Sequence, residues 1–231
     1  MSGIWVPHIA ESVSITGEEH RHLVRSLRAR VGDTVWLTDG RGTLAQGEIQ
    51  AIKPDSVEVR VTRTLNRPGE PPAPIDLLVS PLKQPQRTEW LVEKAVELGA
   101  TAVYLLPMNR TVRSSVNMAR LERVGRAALK QNLRSVLPLI RLVQRWEEVL
   151  WDSYTYRLMG EIGAKLSLKE RLPERPAPTL WIVGPEGDFT DEEKAYLKTR
   201  GVEGVSLGSL RLRAETAATL FLSALKVQWR F

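Results

Sequence analysis

The chain has 231 residues, of which 42% are apolar and 26% charged, a composition typical of a soluble protein with one large or two small domains. It has no cysteine, which excludes disulfide bonds and thiolate chemistry, and with only three histidines we expect no metal site. No apolar run approaches the roughly 20 residues that span a bilayer, and the N-terminus lacks a signal-peptide pattern, so we expect a cytoplasmic protein.

The net charge of +6 is concentrated in one segment of the chain. Between Arg110 and Arg145 there are nine basic residues and a single acid, Glu122, whereas residues 1–70 carry nine of each sign. A basic block in an otherwise balanced chain indicates a polyanionic partner, although a solvated helix face would also explain it.

Residues 1–66 are predicted to form a small β domain. A helix is expected first, in "EEHRHLVRSLRARVGD", closing at Gly32. Short segments rich in Val, Ile and Thr then predict strands at 33–40, 43–52 and 56–62, with a hairpin turn at Asp39-Gly40 and Gly42.

Residues 64–75 have four prolines in twelve positions and little to bury, which predicts a stiff linker and places a domain boundary at 67–74. Strands and helices then alternate through residues 75–231, which predicts a mainly parallel sheet covered by helices. The predicted strands lie at 75–80, 101–107, 137–143, 155–160, 179–184 and 204–208. The predicted helices lie at 87–99 (with Trp90, Leu91, Ala95 and Leu98 on its apolar side), at 117–133, after Thr190 and after Ala214.

The helix at 117–133 places several cations along one side. At 100° per residue, the following fall within an arc of about 120°: Arg120, Arg123, Arg126, Lys130 and Arg134. Such a stripe does not stabilise a helix by itself and suits phosphate contacts. Because the β domain adds Arg21, Arg25, Arg28 and Arg30, two basic surfaces are predicted to bind a folded RNA together.

Two glycine-containing loops follow predicted strands. In "GPEGDFTDEE", Thr190 and Glu193 form a capping box that explains the helix start, but not "GPEG" at 184–187. The acids there disfavour a nucleoside triphosphate and favour a ligand with hydroxyls and a positive charge. The second loop is "LGSLRLRAETA" at 207–217, and loops at the carboxyl ends of parallel strands usually bind ligands.

Six motifs in order give the chain a resemblance to the RsmE family of ribosomal RNA methyltransferases, in the SPOUT superfamily. They are "HLVRSLRARVGD", "KQPQRTEWLVEKAVELGA", "NRTV", "QNLRSVLP", "GPEG" and "LGSLRLRAETA", and the resemblance covers nearly the whole chain. The chain departs from the family pattern at Asp188, where a second glycine is usual, at Lys130, where a glutamate is usual, and at Asn132-Leu133, where two small residues are usual.

The resemblance implies a C-terminal SPOUT trefoil-knot domain at 75–231 and an N-terminal PUA-like β barrel at 1–66. It implies a homodimer that binds S-adenosylmethionine and methylates the imide nitrogen of one uridine in the decoding-region helix of 16S ribosomal RNA. Two alternatives stay open: a SPOUT ribose 2′-O-methyltransferase, and a non-catalytic RNA-binding factor in ribosome assembly.

The resemblance also assigns site residues. Arg213 is expected to stabilise a uridine oxyanion, and Glu215 either acts as base or only holds structure. The cofactor-binding residues are expected to be Leu106, Pro107, Gly184, Glu186, Gly187, Leu207, Gly208, Leu210, Leu212, Ala214 and Thr216. Glu186 would accept a ribose hydroxyl or offset the sulfonium. The RNA-binding residues are expected to be Arg25, Arg28, Lys83, Arg110, Arg123, Lys130 and Arg134, and Asp188 has no assigned role.

Overall fold

The computed structural model describes residues 2–112 and 115–231, which form two compact units. The first unit contains the chain up to Glu70 together with 126–137, and the second contains 71–125 and 138–231. The boundary therefore falls inside helix α3 (Met118–Asn132). The predicted division into 1–66, 67–74 and 75–231 stays a prediction. Arg113, one of the nine cations of the basic segment, lies outside the described residues.

The first unit is built on a five-stranded sheet in the order β1-β3-β4-β5-β2. Its strands are β1 Ile4–Trp5, β2 Ser12–Thr16, β3 Thr34–Thr38, β4 Thr43–Ile52 and β5 Ser56–Asn66. All neighbours are antiparallel except β1 and β3, and shifts of register along β4 curl the sheet. The three predicted strands are confirmed, while β1 and β2 were not predicted.

The helix predicted to close at Gly32 is shorter than expected. Helix α1 (Gly17–Arg21) continues as a π-helical turn at His22–Ser26 and stops there. Arg28 has a φ of +52°, in the left-handed region that a continuing helix cannot use. The prediction was therefore wrong about the helix end, because the chain already leaves the helix before Arg28, upstream of Gly32.

The second unit contains a six-stranded, all-parallel sheet in the order β11-β9-β10-β6-β7-β8. The strands are β6 Ile75–Val79, β7 Ala102–Leu105, β8 Leu139–Leu142, β9 Tyr156–Gly160, β10 Thr179–Val183 and β11 Glu203–Val205. The other helices are α2 Pro85–Glu97, α4 Leu168–Arg171, α5 Asp191–Thr199 and α6 Ala214–Trp229, with 3₁₀ turns at Trp146–Glu148 and Trp151–Ser153. The predicted strand–helix alternation is confirmed.

Both faces of this sheet are covered, which explains why β6 and β10 are buried along their whole length. On one face Trp181 stacks on Phe221 of α6, with ring centroids 4.3 Å apart. On the other face Ile182 belongs to a cluster with Phe189. Because the side chains of β6 and β10 alternate between two covered faces, the strand ends are where these two central strands can be reached by a ligand.

One detail of α2 differs from the prediction. Trp90 is 42% exposed, and the buried side of the helix contains Leu91, Val92, Ala95 and Val96. The apolar stripe is therefore rotated by about one residue, toward Val92 and Val96.

The fold class is confirmed as mixed α/β, with a parallel sheet in the second unit and a curled sheet in the first. The trefoil knot stays a prediction. Across the described residues, every helix falls short of the length and apolarity that crossing a membrane would require.

Candidate active site

The two glycine loops meet at one end of the parallel sheet. One follows β10, the other follows β11, and both lie at the carboxyl ends of their strands. With the loop after β9 they line a cavity of about 640 Å³. The residues predicted for catalysis or cofactor binding that line it are Gly184, Glu186, Gly187, Leu207, Gly208, Leu210, Leu212, Arg213 and Ala214.

Three residues predicted to bind a cofactor do not line this cavity: Leu106, Pro107 and Thr216. Leu106 is only 1% exposed and packs in the core cluster that contains Phe189. Its backbone amide donates to Val79, which extends the pairing of the neighbouring strands. The Leu106 side chain therefore packs in the core, and the contact of this residue with a cofactor stays a prediction.

Arg87, on the first turn of α2, joins the two glycine loops. Its Nε and Nη2 donate to the two carboxylate oxygens of Glu215, at 2.8 and 2.6 Å. Its Nη1 donates to Oε1 of Glu186 at 3.0 Å. A planar guanidinium can bind one carboxylate through two parallel hydrogen bonds and a second carboxylate through its third nitrogen, a geometry that a lysine does not provide. The sequence prediction missed this residue, although it lies inside the quoted "KQPQRTEW" motif.

The Glu186 carboxylate is held from two directions. Besides the Arg87 guanidinium, the backbone amide of Lys83 donates to the same Oε1, also at 3.0 Å. The acid in the middle of the glycine turn is therefore neither repelled by its neighbours nor free to turn away from the cavity. Lys83, predicted to bind RNA, contributes its backbone here while its side chain is exposed.

The surroundings of the Glu215 carboxylate bear on whether it acts as a base or only holds structure. Burial alone would raise the pKa of this carboxyl, but hydrogen bonds from Arg87, with the charges of Arg87 and Arg213, lower the pKa below its ordinary value. A carboxylate with a lowered pKa and two guanidinium hydrogen bonds is a poor proton acceptor at neutral pH. The geometry therefore favours the second of the two roles predicted for Glu215.

Hydrogen bonds connect the loop after β7 to the first glycine turn and to the start of α5. The predicted capping box is present: Thr190 accepts from the Glu193 amide at 3.2 Å, and Glu193 accepts from the Thr190 amide at 2.9 Å. The other oxygen of Glu193 accepts from the amide of Asn109. Next to it, Arg110 lines the cavity and donates to the carbonyl of Gly187 at 2.9 Å. Arg110, predicted to bind RNA, thus also stabilises the turn.

The predicted basic stripe is only partly available to a ligand. Arg123 is exposed, as are Arg25 and Arg28. Two of the other cations are paired with acids: Arg120 with Glu89 at 3.0 Å, and Lys130 with Glu19 at 2.6 Å. The Arg126 guanidinium lies over the ring of Trp5, 5.1 Å from its centroid.

Arg134 requires a correction. Helix α3 ends at Asn132, and Leu133 has a φ of +58°, so Arg134 does not continue the helical stripe. Its side chain is 3% exposed and its guanidinium lies 2.9 Å from the Glu70 carboxylate, which also accepts from the amides of Ser135 and Val136. The residue predicted to contact RNA is therefore a buried structural cation, and the proline-rich segment buries an acid.

Two family profiles together match most of the chain. The profile of a family described as the RNA methyltransferase domain matches residues 69–226, and that of the RNA methyltransferase PUA domain matches residues 15–62. The ribosomal RNA small subunit methyltransferase E of Bacillus subtilis is 28% identical over 235 residues, covering 95% of this chain and 91% of its own.

Solved structures are similar over the whole chain. A crystal structure described as a probable rRNA-methyltransferase from Porphyromonas gingivalis has a TM-score of 0.88 at 28% identity and covers 100% of this chain and 99% of its own. A methyltransferase structure from Legionella pneumophila, described as containing the bound cofactor S-adenosylmethionine, has a TM-score of 0.83 at 25% identity, with coverages of 97% and 96%.

Proposed function

The chain belongs to the RNA methyltransferase family, and from this premise we propose that it uses S-adenosylmethionine to methylate the imide nitrogen of a uridine in 16S ribosomal RNA. The match covers more than half of the chain. The name of the Bacillus subtilis relative supports small-subunit ribosomal RNA as the substrate. The position of the uridine in the decoding-region helix is an inference from the family resemblance.

The cavity between the glycine loops carries this proposal. Its walls combine glycine backbone and leucine side chains with the carboxylates of Glu161, Glu186 and Asp188 and with four guanidinium groups, of which those of Arg87 and Arg110 are bound to protein acceptors. S-adenosylmethionine has an adenine, a ribose diol, a sulfonium cation and an amino-acid group but no phosphate, so walls that carry both charges suit it. The Arg87 guanidinium lies 3.0 Å from Oε1 of Glu186 and compensates the charge that this acid brings to the cavity.

The cofactor supplies a methyl group on a positively charged sulfur, and this chain must hold donor and acceptor in line. We assign contacts with the adenine to the backbone of Gly184, Leu207, Gly208 and Leu212. Arg87 holds Glu186 on one glycine loop and Glu215 on the other, so the cavity is already formed before the RNA binds. Positioning of this kind accounts for a large share of the rate of a displacement reaction.

Arg213 is the residue we assign to the uridine. It is exposed at the cavity wall, directly before the first turn of α6. When the imide loses its proton, negative charge spreads onto the uracil oxygens, and a guanidinium there stabilises that charge. To present this edge, the uridine must leave its stack.

We assign RNA backbone contacts to the exposed cations Arg25, Arg28 and Arg123. A homodimer and a place in the cytoplasm, where ribosomes are assembled, complete the proposal and rest on the family resemblance.

Two measurements test the function. Titrating S-adenosylmethionine into the protein should release heat, and absence of binding to the folded protein would remove the basis of the proposal. Small-subunit RNA from a strain lacking the protein should then gain one methyl group on incubation with protein and cofactor. Mass spectrometry that places this methyl on a ribose would support the 2′-O alternative, and binding without any methylation would support a non-catalytic role.

A further inference from the structure

Asp188 closes the first glycine turn in an unusual conformation. Its φ is +64°, in the left-handed region that favours glycine, and its amide donates to the carbonyl of Pro185. Its side chain compensates for this conformation, because Oδ1 accepts from the amide of Phe189 at 2.8 Å. The second oxygen, Oδ2, is thereby directed to Lys194 on the first turn of α5, 3.3 Å away.

Lys194 also contacts a second acid, on a different loop. Its ammonium lies 3.4 Å from Oε1 of Glu161, the residue that follows β9. Burial would lower the pKa of Lys194, but the charges and hydrogen bonds of Asp188 and Glu161 outweigh burial and raise the pKa. One cation, charged over the whole physiological range, therefore links the turn after β10 to the loop after β9.

Glu161 contacts β11 through both its backbone and its side chain. Its backbone amide donates to the carbonyl of Val205 at 2.9 Å, which extends the pairing of β9 with β11. A side chain at Gly204 would overlap the carboxylate, so glycine leaves the space in which it lies. Within the described residues, Lys194 is the one cation paired with Glu161.

Both acids line the cavity, but Lys194 does not. We propose that Glu161 binds the ribose hydroxyls of the cofactor and that Lys194 is the positioning residue that holds it there. This inference rests on the proposed function. Lys194 neutralises part of the negative charge of Glu161, which is therefore a weak counter-ion for a sulfonium. The carboxylate oxygens of Glu161 can still accept hydrogen bonds. Next to it, Ile162, Leu207 and Gly208 offer the apolar surface that an adenine attached to that ribose needs.

The experiment compares two neutral ligands, S-adenosylhomocysteine and its 2′,3′-dideoxyribose analogue. For Glu161→Gln and Lys194→Met we expect S-adenosylhomocysteine to bind about tenfold more weakly, the size expected for a hydrogen bond to a charged group. The affinity for the dideoxy analogue, which has no diol, should change less than about twofold. Lys194→Arg, which keeps the charge, should restore part of the affinity.

Lys198→Met is the matched control, since Lys198 is exposed one turn further along α5, away from the cavity. It should leave both affinities unchanged. Thermal unfolding of every variant separates loss of binding from loss of folding. Equal weakening of both ligands in Glu161→Gln, or wild-type affinity for S-adenosylhomocysteine in that variant, would overturn the assignment. A wild-type protein that binds neither S-adenosylmethionine nor S-adenosylhomocysteine would instead contradict the proposed function.

Discussion

Two hydrogen bonds, 2.8 and 2.6 Å long, join the Arg87 guanidinium on the first turn of α2 to the Glu215 carboxylate on the first turn of α6. The side chains are 20% and 10% exposed, so solvent screens the pair only weakly. Since the third donor of Arg87 holds Glu186, a single side chain sets the distance between the two glycine loops.

Arg87→Ala should lower the free energy of unfolding by about 2–4 kcal/mol, because it leaves a partly buried carboxylate without its partner. It should also weaken binding of S-adenosylmethionine, since both loops lose their common anchor. Urea unfolding and calorimetric titration measure the two effects.

Arg120→Ala is the matched control for this variant. Arg120 pairs with Glu89 in the same unit, but its side chain is 49% exposed, so its loss should cost at most about 1 kcal/mol. Equal effects of the two substitutions on stability and on cofactor affinity would show that the Arg87 pair has no special role.

The stability of the protein should depend on Glu215 in acid. The pKa of Glu215 is lower in the folded protein than in the unfolded chain, so the ionised form stabilises the fold. This contribution is complete above the ordinary glutamate pKa of about 4.3 and is lost as the pH falls through the lower folded-state value. Glu215→Gln should therefore lose less stability than the wild type on acidification from pH 6, measured by urea unfolding. Glu122→Gln, at an exposed position on α3, should follow the wild type.

The same variant tests whether Glu215 is a base. If it only holds Arg87, Glu215→Gln should keep the pH dependence of methyl transfer around neutrality, with a lower rate at every pH. Loss of the acid limb of the pH–rate profile in this variant would restore Glu215 as the proton acceptor.

Much of the second unit could be predicted because its signals are local. Apolar runs at 77–79 of β6 and at 180–183 of β10 predict buried strands, and Thr190 with Glu193 predicts a capped helix. The two glycine loops follow such strands, so their meeting at one end of a parallel sheet could be expected from the pattern alone.

Contacts between distant segments could not be predicted in this way. Arg87 and Glu215 are 128 residues apart, and neither position has a pattern that indicates its partner. At Arg134 a local pattern was extended too far. A helical wheel continues the basic stripe to this residue, although the chain leaves the helix at Leu133. Glu70, the acid paired with the buried Arg134, lies in the proline-rich segment that the sequence predicted to have little to bury.

Arg213→Ala should lower kcat for methyl transfer by about 10²- to 10³-fold, the loss expected when a donor to a developing oxyanion is removed. The affinity for S-adenosylmethionine should stay within about threefold of the wild type, since the assigned adenine contacts come from backbone groups. Single-turnover methylation and calorimetry measure the two quantities. A similar fall in cofactor affinity would make Arg213 a binding residue for the cofactor.

Arg134→Met should act on stability and not selectively on RNA binding. Removing one partner of a buried ion pair costs about 3–5 kcal/mol, because the Glu70 carboxylate stays buried without its cation. The double variant Arg134→Met with Glu70→Gln should recover part of this loss. A single variant with wild-type stability and weakened RNA binding would return Arg134 to the role predicted from the sequence.

Arg123→Ala should weaken RNA binding without changing stability, because Arg123 is exposed on α3 and its one side-chain hydrogen bond within the described residues is to the carbonyl of Ala119. If its guanidinium neutralises one phosphate, the slope of log affinity against log salt concentration should fall by about one. Arg175→Ala is the control, since Arg175 is exposed outside the basic segment and should leave the slope unchanged. Filter binding to small-subunit RNA at several salt concentrations measures both slopes, and equal slopes for the two variants would place the RNA elsewhere on the protein.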